Sequence, residues 1–178
     1  MDNRLIFDYN YLMDEFVKDG ISYAELEAYE GQVKEACKIL EEKRANGAKT
    51  LTQWMNLPYI QEEIVADILA TAEKVKREFE SFVVLGIGGS ALGPIAVHQA
   101  LNHIYYNEVS KESRNGCPKF YVIDNVDPER MSALLDVVDV NTTMFNVITK
   151  SGSTSETMAQ FLLVKSLLVK ALGEDYKK

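Results

Sequence analysis

Cysteine, histidine and positive charge are all scarce in this chain of 178 residues, and each scarcity excludes something. There are 2 cysteines and 2 histidines. Cys37 and Cys117 stand in no CxxC or other metal spacing, so neither a disulfide scaffold nor a zinc site is implied. Two scattered thiols fit a reducing compartment. His98 and His103 match no metal or triad spacing and are expected to be partly buried structural residues. No stretch of about 18 apolar residues exists to span a membrane. The opening MDNRLIFDYN has no cationic stretch followed by an apolar core, so no secretory leader is expected. Lys and Arg total 19 against 27 Asp and Glu, a formal net charge of −8. A nucleic-acid binder would need a basic face to displace counterions, and an anionic membrane surface is disfavoured too. A small anionic ligand is still compatible, because one local pocket overrides the global sign. The expected class is a soluble, acidic, cytoplasmic protein.

What is present is ordinary globular composition, 47% hydrophobic and 26% charged, unlike a disordered chain. The length suits one domain, or one domain with an appendage. A chain of this size buries roughly 70% of its unfolded surface. It needs no disulfide or metal to fold.

Residues 1–80 read as a helical lead. Tyr9 to Val17 is short and amphipathic and predicts one small helix. Ser22, with Glu25 three residues on, forms a capping box. Behind it Leu26, Tyr29, Val33, Cys37 and Leu40 recur at helical spacing. Gly31 interrupts that pattern, and Gly47 stands where a glycine stop belongs. Residues 48–60, with Trp54, Leu57 and Pro58, read as a connecting loop with buried anchors. Tyr29 and Trp54 are expected in the core. Ile64, Ile68, Ala72, Val75 and Phe79 mark a third helix, and the Glu/Lys-rich stretch 73–80 its solvated face.

Residues 81–178 change character. Phe82–Ile87 is a continuous apolar run ending at glycine, as expected of a strand buried on both faces. A helix over Ala91–Leu101 follows, then a strand at Lys119–Asp124. Asp127–Pro128 opens a helix to about Leu135, with Pro128 at a tolerated first-turn position. Met144–Thr149 is a third strand, residues 155–172 a helix, and the tail EDYKK a charged, frayed end. This alternation predicts an α/β doubly wound parallel sheet. Three strands are few, since typical sheets have about 4–6, so the sheet reads as incomplete.

Ligands of such sheets bind beyond the carboxyl ends of the strands, and two loops there stand out. The first is Gly86-Ile87-Gly88-Gly89-Ser90, leading into a helix. Its glycines permit a sharp turn and close backbone approach, and the helix N-terminus favours an anion. The spacing also matches G-x-G-x-x-A, but the acid expected about 20 residues further on is missing. Asp124, the nearest acid ending the second strand, lies much further along, and a nicotinamide cofactor is ranked low. Asp124 and Asp127 are expected to cap their loop. The second loop, Thr149 to Thr157, packs six hydroxyl-bearing residues around Lys150 and Gly152. One or two hydroxyls suffice for a helix cap, so this surplus favours a phosphate cradle. It lacks the nucleotide P-loop arrangement. Two donor-rich loops at one sheet edge imply a small phosphorylated ligand.

The pair VLGIGGSALGP and ITKSGSTSET resembles the glucose-6-phosphate isomerase family, as do IFDYNYL, the segment around Trp54, and LNHIYYN. The resemblance runs along essentially the whole chain. It implies a three-layer αβα parallel sheet of the sugar-isomerase type, incomplete here, preceded by an N-terminal helical segment. It implies that Gly89, Ser90, Thr149, Lys150, Ser151, Gly152, Ser153 and Thr154 bind the substrate phosphate. Thr149 replaces a family serine, and Ser153 and Ser155 replace threonines, each keeping a hydroxyl. The implied reaction interconverts glucose 6-phosphate and fructose 6-phosphate through a cis-enediol, in glycolysis and gluconeogenesis, with no cofactor and no metal. The family's glutamate base, ring-opening histidine, lysine and arginine all match positions beyond this chain. No catalytic residue is therefore assigned within it. Glu156 is either a first-turn acid balancing the helix dipole or an orienter of a downstream group. Family members are more than twice as long, so the chain reads as an N-terminal piece, and the resemblance implies a homodimer for the whole enzyme. The alternatives are a non-catalytic sugar-phosphate-binding module and a nucleotide-binding domain.

Overall fold

The computed structural model describes residues 6–46, 52–59 and 62–177. They fall into two compact units, one up to Glu62 and one from Glu63.

In the first unit the capping box forms as expected. The Glu25 amide donates to Ser22 Oγ (3.2 Å), and the Ser22 amide donates to the Glu25 carboxylate (2.9 Å). That backbone bond, helped by the Ser22 hydroxyl, holds the Glu25 carboxyl below its usual range. Two helices follow where the periodicity suggested one: α1 (Tyr23–Ala28) and α2 (Glu30–Asn46). The break falls at Tyr29, whose amide reaches Leu26 O in a tight turn, two residues before the weak helix former Gly31. Gly47 and residues 48–51 and 60 lie outside the described residues.

The helix expected over Tyr9–Val17 shrinks to a single 3-10 turn, Asn10–Leu12. Asp19 adopts a positive φ of 63°, and the turn brings Ile21 back to Met13 as an isolated β-bridge. Amide bonds Ile21 to Leu12 O (2.8 Å) and Asp14 to Ile21 O (3.1 Å) fix it. These non-local bonds compete with continued helix, and Met13 is fully buried there. Tyr29, Trp54 and Leu57, expected in the core, are exposed. Trp54 lies on a short 3-10 turn, Gln53–Asn56, that buries no residue. An apolar residue reveals what burial would gain, not whether the chain supplies a facing surface.

The second unit begins with α3 (Glu62–Glu78), which buries only Val75. Then come β1 (Ser81–Leu85), α4 (Gly89–Leu101), β2 (Lys119–Ile123), α5 (Pro128–Val137), β3 (Thr143–Val147) and α6 (Ser155–Leu172). The sheet order is β2-β1-β3, all parallel, with Val83 beside both Tyr121 and Phe145. The central strand β1 is the most buried, which explains its unbroken apolar run. On one face Val83, Leu85 and Ile123 pack against Met131, Leu134 and Val138 of the α5 segment and Val164 of α6. Each such residue contributes about 1.5–3 kcal/mol by its burial. On the other face His98 of α4 stacks on Phe120, centroids 4.3 Å apart. Helices thus cover both faces of a parallel sheet in three layers. The tail expected to fray is a 3-10 turn, Gly173–Lys177. Among the described residues no helix is long and apolar enough to cross a membrane.

Asn107 closes the free edge of β2. Its side chain donates to Phe120 O and accepts from Phe120 N, both at 2.8 Å, standing in for a neighbouring strand. Asp127 caps α5 by accepting from Glu129 N and Arg130 N. Asp124 instead pairs with the Arg130 side chain at 2.6 Å, so of the two acids expected to cap the loop Asp127 does so. His103 is exposed rather than partly buried: it follows the end of α4, and its Nδ1 accepts from Tyr105 N.

His98 is held between Phe120 and the edge of Tyr106, and burial lowers its pKa. The unfolded chain therefore takes up the proton first as pH falls through about 6.5. Stability contributed by the neutral ring is present above that value and is lost as the pH falls below it. Denaturant titrations across this range should show that slope, and His98→Phe should flatten it. An equal slope in the variant would contradict this.

Candidate functional site

In the order β2-β1-β3 the chain reverses its direction of winding between β1 and β3, the place where open α/β sheets hold ligands. Both singled-out loops leave the sheet there. The Ile148 amide donates to Leu85 O (2.9 Å), continuing the ladder past β3. Gly86 is pinched between them. A Cβ on it would lie 2.9 Å from Ser90 Cβ and 3.2 Å from Ile148 O. The two loops approach because position 86 has no side chain. Gly88, with φ +56° and ψ −124°, turns the chain into α4, a conformation that costs an L-residue about 1–3 kcal/mol.

The second loop is ordered by its own hydroxyls. Thr149 Oγ1 accepts from Gly152 N (3.1 Å), with Gly152 at φ +73°. Ser151 Oγ accepts from Ser153 N (3.2 Å) and from the Ser153 hydroxyl (3.1 Å). Thr154 occupies the cap position of α6 but makes no side-chain cap bond. The N-terminal turn of α6 keeps donors that a capping side chain would otherwise engage.

Between the loops lies a cleft of about 380 Å³, lined by Ile87, Gly89, Ser90, Ile148, Thr149, Lys150, Thr154 and Thr157. The structure therefore brings five of the expected residues onto one wall: Gly89, Ser90, Thr149, Lys150 and Thr154. Ser151, Gly152 and Ser153 form the outer turn of the loop and do not line it. Three lining residues were not among the expected contacts. Ile87 and Ile148 follow β1 and β3 and carry no polar signal. Thr157 lay within the hydroxyl-rich stretch, but helical spacing gave no reason to choose it. Among the described residues no carboxylate lines the cleft. Lys150 is exposed and forms no ion pair with a described residue. Two helix N-termini, hydroxyl donors and one ammonium with no opposing acid form an environment for an anion. Glu156 is exposed at the first turn of α6 and lies off the wall. Neither histidine reaches the cleft.

A larger hollow of about 570 Å³ lies between α3 and the sheet, walled by Ile68, Phe82, Phe120 and Met144 among others. It is mainly apolar and sits away from both loops, so it does not share this chemistry. Among the described residues no group of three or more His, Cys, Asp or Glu is placed to hold a metal ion.

Three parallel strands between helices, with a donor-lined cleft at the switch point, place the second unit among the α/β proteins of three-layer architecture. Comparison with known proteins narrows the class. The family model "Phosphoglucose isomerase" matches residues 59–178. A glucose-6-phosphate isomerase of Carboxydothermus hydrogenoformans is 47% identical over 173 residues, covering 97% of this chain and 36% of that protein. One of Rubrobacter xylanophilus is 39% identical over 169 residues, covering 94% and 36%. The crystal structure of a hypothetical protein from Thermus thermophilus is similar in fold, with a TM-score of 0.57 and 33% identity. The match covers 86% of this chain and 33% of that one. The chain belongs to the phosphoglucose isomerase family and spans about a third of the length of these relatives.

Proposed function

We propose that the chain forms part of an aldose–ketose isomerase that interconverts glucose 6-phosphate and fructose 6-phosphate, and that it supplies the grip on the phosphate. The observation that carries this reading is the convergence of the two loops on one cleft with donors, a cation and no acid. A sugar phosphate is close to dianionic at neutral pH, its second pKa being about 6. The cleft offers what that group needs: amides at two helix N-termini, the hydroxyls of Ser90, Thr149 and Thr154, and the Lys150 ammonium. Ser151, Gly152 and Ser153 form the outer turn of the same loop and hold its shape.

Isomerisation moves a proton between C2 and C1 through a cis-enediol, which needs a base on carbon and groups to protonate the oxygens. No acid lines the cleft, and the closest carboxylate in sequence, Glu156, is exposed. Glu156 would orient a group from elsewhere in the whole enzyme, while the base lies in the length that the relatives have beyond this match. In this reading residues 1–80 are a helical lead and 81–178 the first part of a sugar-isomerase domain. The whole enzyme is a cytoplasmic homodimer of glycolysis and gluconeogenesis that needs no cofactor.

Lys150→Ala tests the reading. Calorimetric titration with fructose 6-phosphate should show affinity about ten-fold lower than for the unaltered chain, the scale of one lost hydrogen bond to a charged group. Equal affinity would remove Lys150 from the site.

A further inference from the structure

α4 is an exposed helix without a charge. From Phe82 to Asn107 the chain holds no Asp, Glu, Lys or Arg, although these make up 26% of its residues. Each of the other described α-helices carries at least two. The side of α4 that bears Ala91 and His98 packs on the sheet, with His98 against Phe120. On the other side Leu92, Gly93, Ala96, Val97, Ala100 and Leu101 are all exposed. They form two adjoining rows at a spacing of four, so they share one helix face. Val97 is 59% exposed and Leu101 78%. Just past the helix end Ile104 and Tyr105 are exposed too, and they help wall a hollow of about 650 Å³ with Gln99 and His103.

A surface helix ordinarily turns charged side chains outward, and a helix that is apolar all round is a buried one. An exposed apolar patch marks an interaction surface, and loss of charge with retained aromatic residues is the composition of an interface core. We propose that this face of α4 is the contact between two copies of the chain, helix packed on helix across a two-fold axis. It rests on the homodimer reading above and assigns its surface. Charge selects a second copy as the occupant. The chain carries a formal net charge of −8, so copies repel each other. Like charges brought together in an interface weaken it strongly, and the α4 face brings none together. Shape agrees. Gly93, Ala96 and Ala100 are small enough for two helix backbones to come close, and a Cβ on Gly93 would meet nothing within 4 Å. The exposed Ile104 and Tyr105 lie beside a recess on the same patch, as a self-complementary contact requires.

The test is sedimentation velocity of the full chain over a concentration series. The unaltered chain should pass from monomer to dimer as concentration rises. Val97→Glu sets two like charges into the contact and should raise the dimer dissociation constant about a hundred-fold. Val97 is exposed and lies outside the anion cleft. The variant should therefore melt with the unaltered chain and bind fructose 6-phosphate within about two-fold of it. If Val97→Glu does not fold, Ala100→Glu on the same face carries the comparison. Leu162→Glu, at an exposed position of α6, is the control and should leave the dimer intact. A dimer that withstands Val97→Glu, or one that Leu162→Glu breaks instead, overturns the inference and leaves the homodimer reading standing. A chain that is monomeric at every concentration also overturns it, and leaves the α4 face to the further length that the relatives have.

Discussion

The 178-residue chain is expected to bind fructose 6-phosphate saturably and to leave it unchanged. Binding follows from a cleft that two helix N-termini and Lys150 line without any carboxylate. Lack of turnover follows from the same lining. A proton on carbon needs a base within hydrogen-bond reach, and a positioned acid or base contributes roughly 10²–10⁴-fold. Nothing on this wall abstracts a proton. The hydroxyls of Ser90, Thr149 and Thr154 and the Lys150 side chain are donors to an anion. A coupled assay for glucose 6-phosphate should show no interconversion above the uncatalysed rate at protein concentrations that saturate with ligand. Interconversion at a rate near that of an intact relative would show that a base lies within these residues.

Gly89→Ala should separate fold from binding more cleanly than any loop substitution. Gly89 opens α4 and lines the cleft. A methyl at this position meets nothing within 4 Å, and alanine is the better helix former by about 1 kcal/mol. The variant should therefore melt at or above the temperature of the unaltered chain. The methyl would nevertheless stand where an anion approaches the amides of α4, and close backbone approach is what glycine allows. Affinity for fructose 6-phosphate should fall about ten-fold or more, measured by calorimetry beside a melting curve. Undiminished affinity would mean the anion does not sit against the α4 N-terminus. Gly86→Ala is the structural counterpart, because its Cβ meets Ser90 and Ile148 directly.

The second unit was largely legible in the sequence because its signals are local and redundant. β1 is buried on both faces and reads as FVVL. Asp127–Pro128 marks the start of α5 by chemistry that needs no tertiary contact. α6 begins and ends where periodicity places it. The first unit was less legible. The capping box at Ser22 is local and formed as read, but the break at Tyr29 and the Met13–Ile21 bridge depend on pairings that helical spacing does not encode. Trp54 and Leu57 show the same limit, since their size signals a preference for burial and says nothing about what faces them. Within the site, glycine and hydroxyl density located both loops. Which hydroxyl-bearing residues line the cleft was not legible. Ser151 and Ser153 bond each other on the outer turn, while Thr157, in the first turn of α6, is part of the wall. That choice is set by the turn at Gly152 and by the pitch of α6.

The most direct measurement is an amide chemical-shift map of the chain titrated with fructose 6-phosphate, with NAD and ATP as controls. Saturable shifts confined to Gly88–Ala91 and Thr149–Thr157, with none from the two nucleotides, are the predicted result. Shifts centred instead on the apolar hollow around Phe82 and Phe120, or nucleotide binding at the two loops, would contradict the sugar-phosphate cleft.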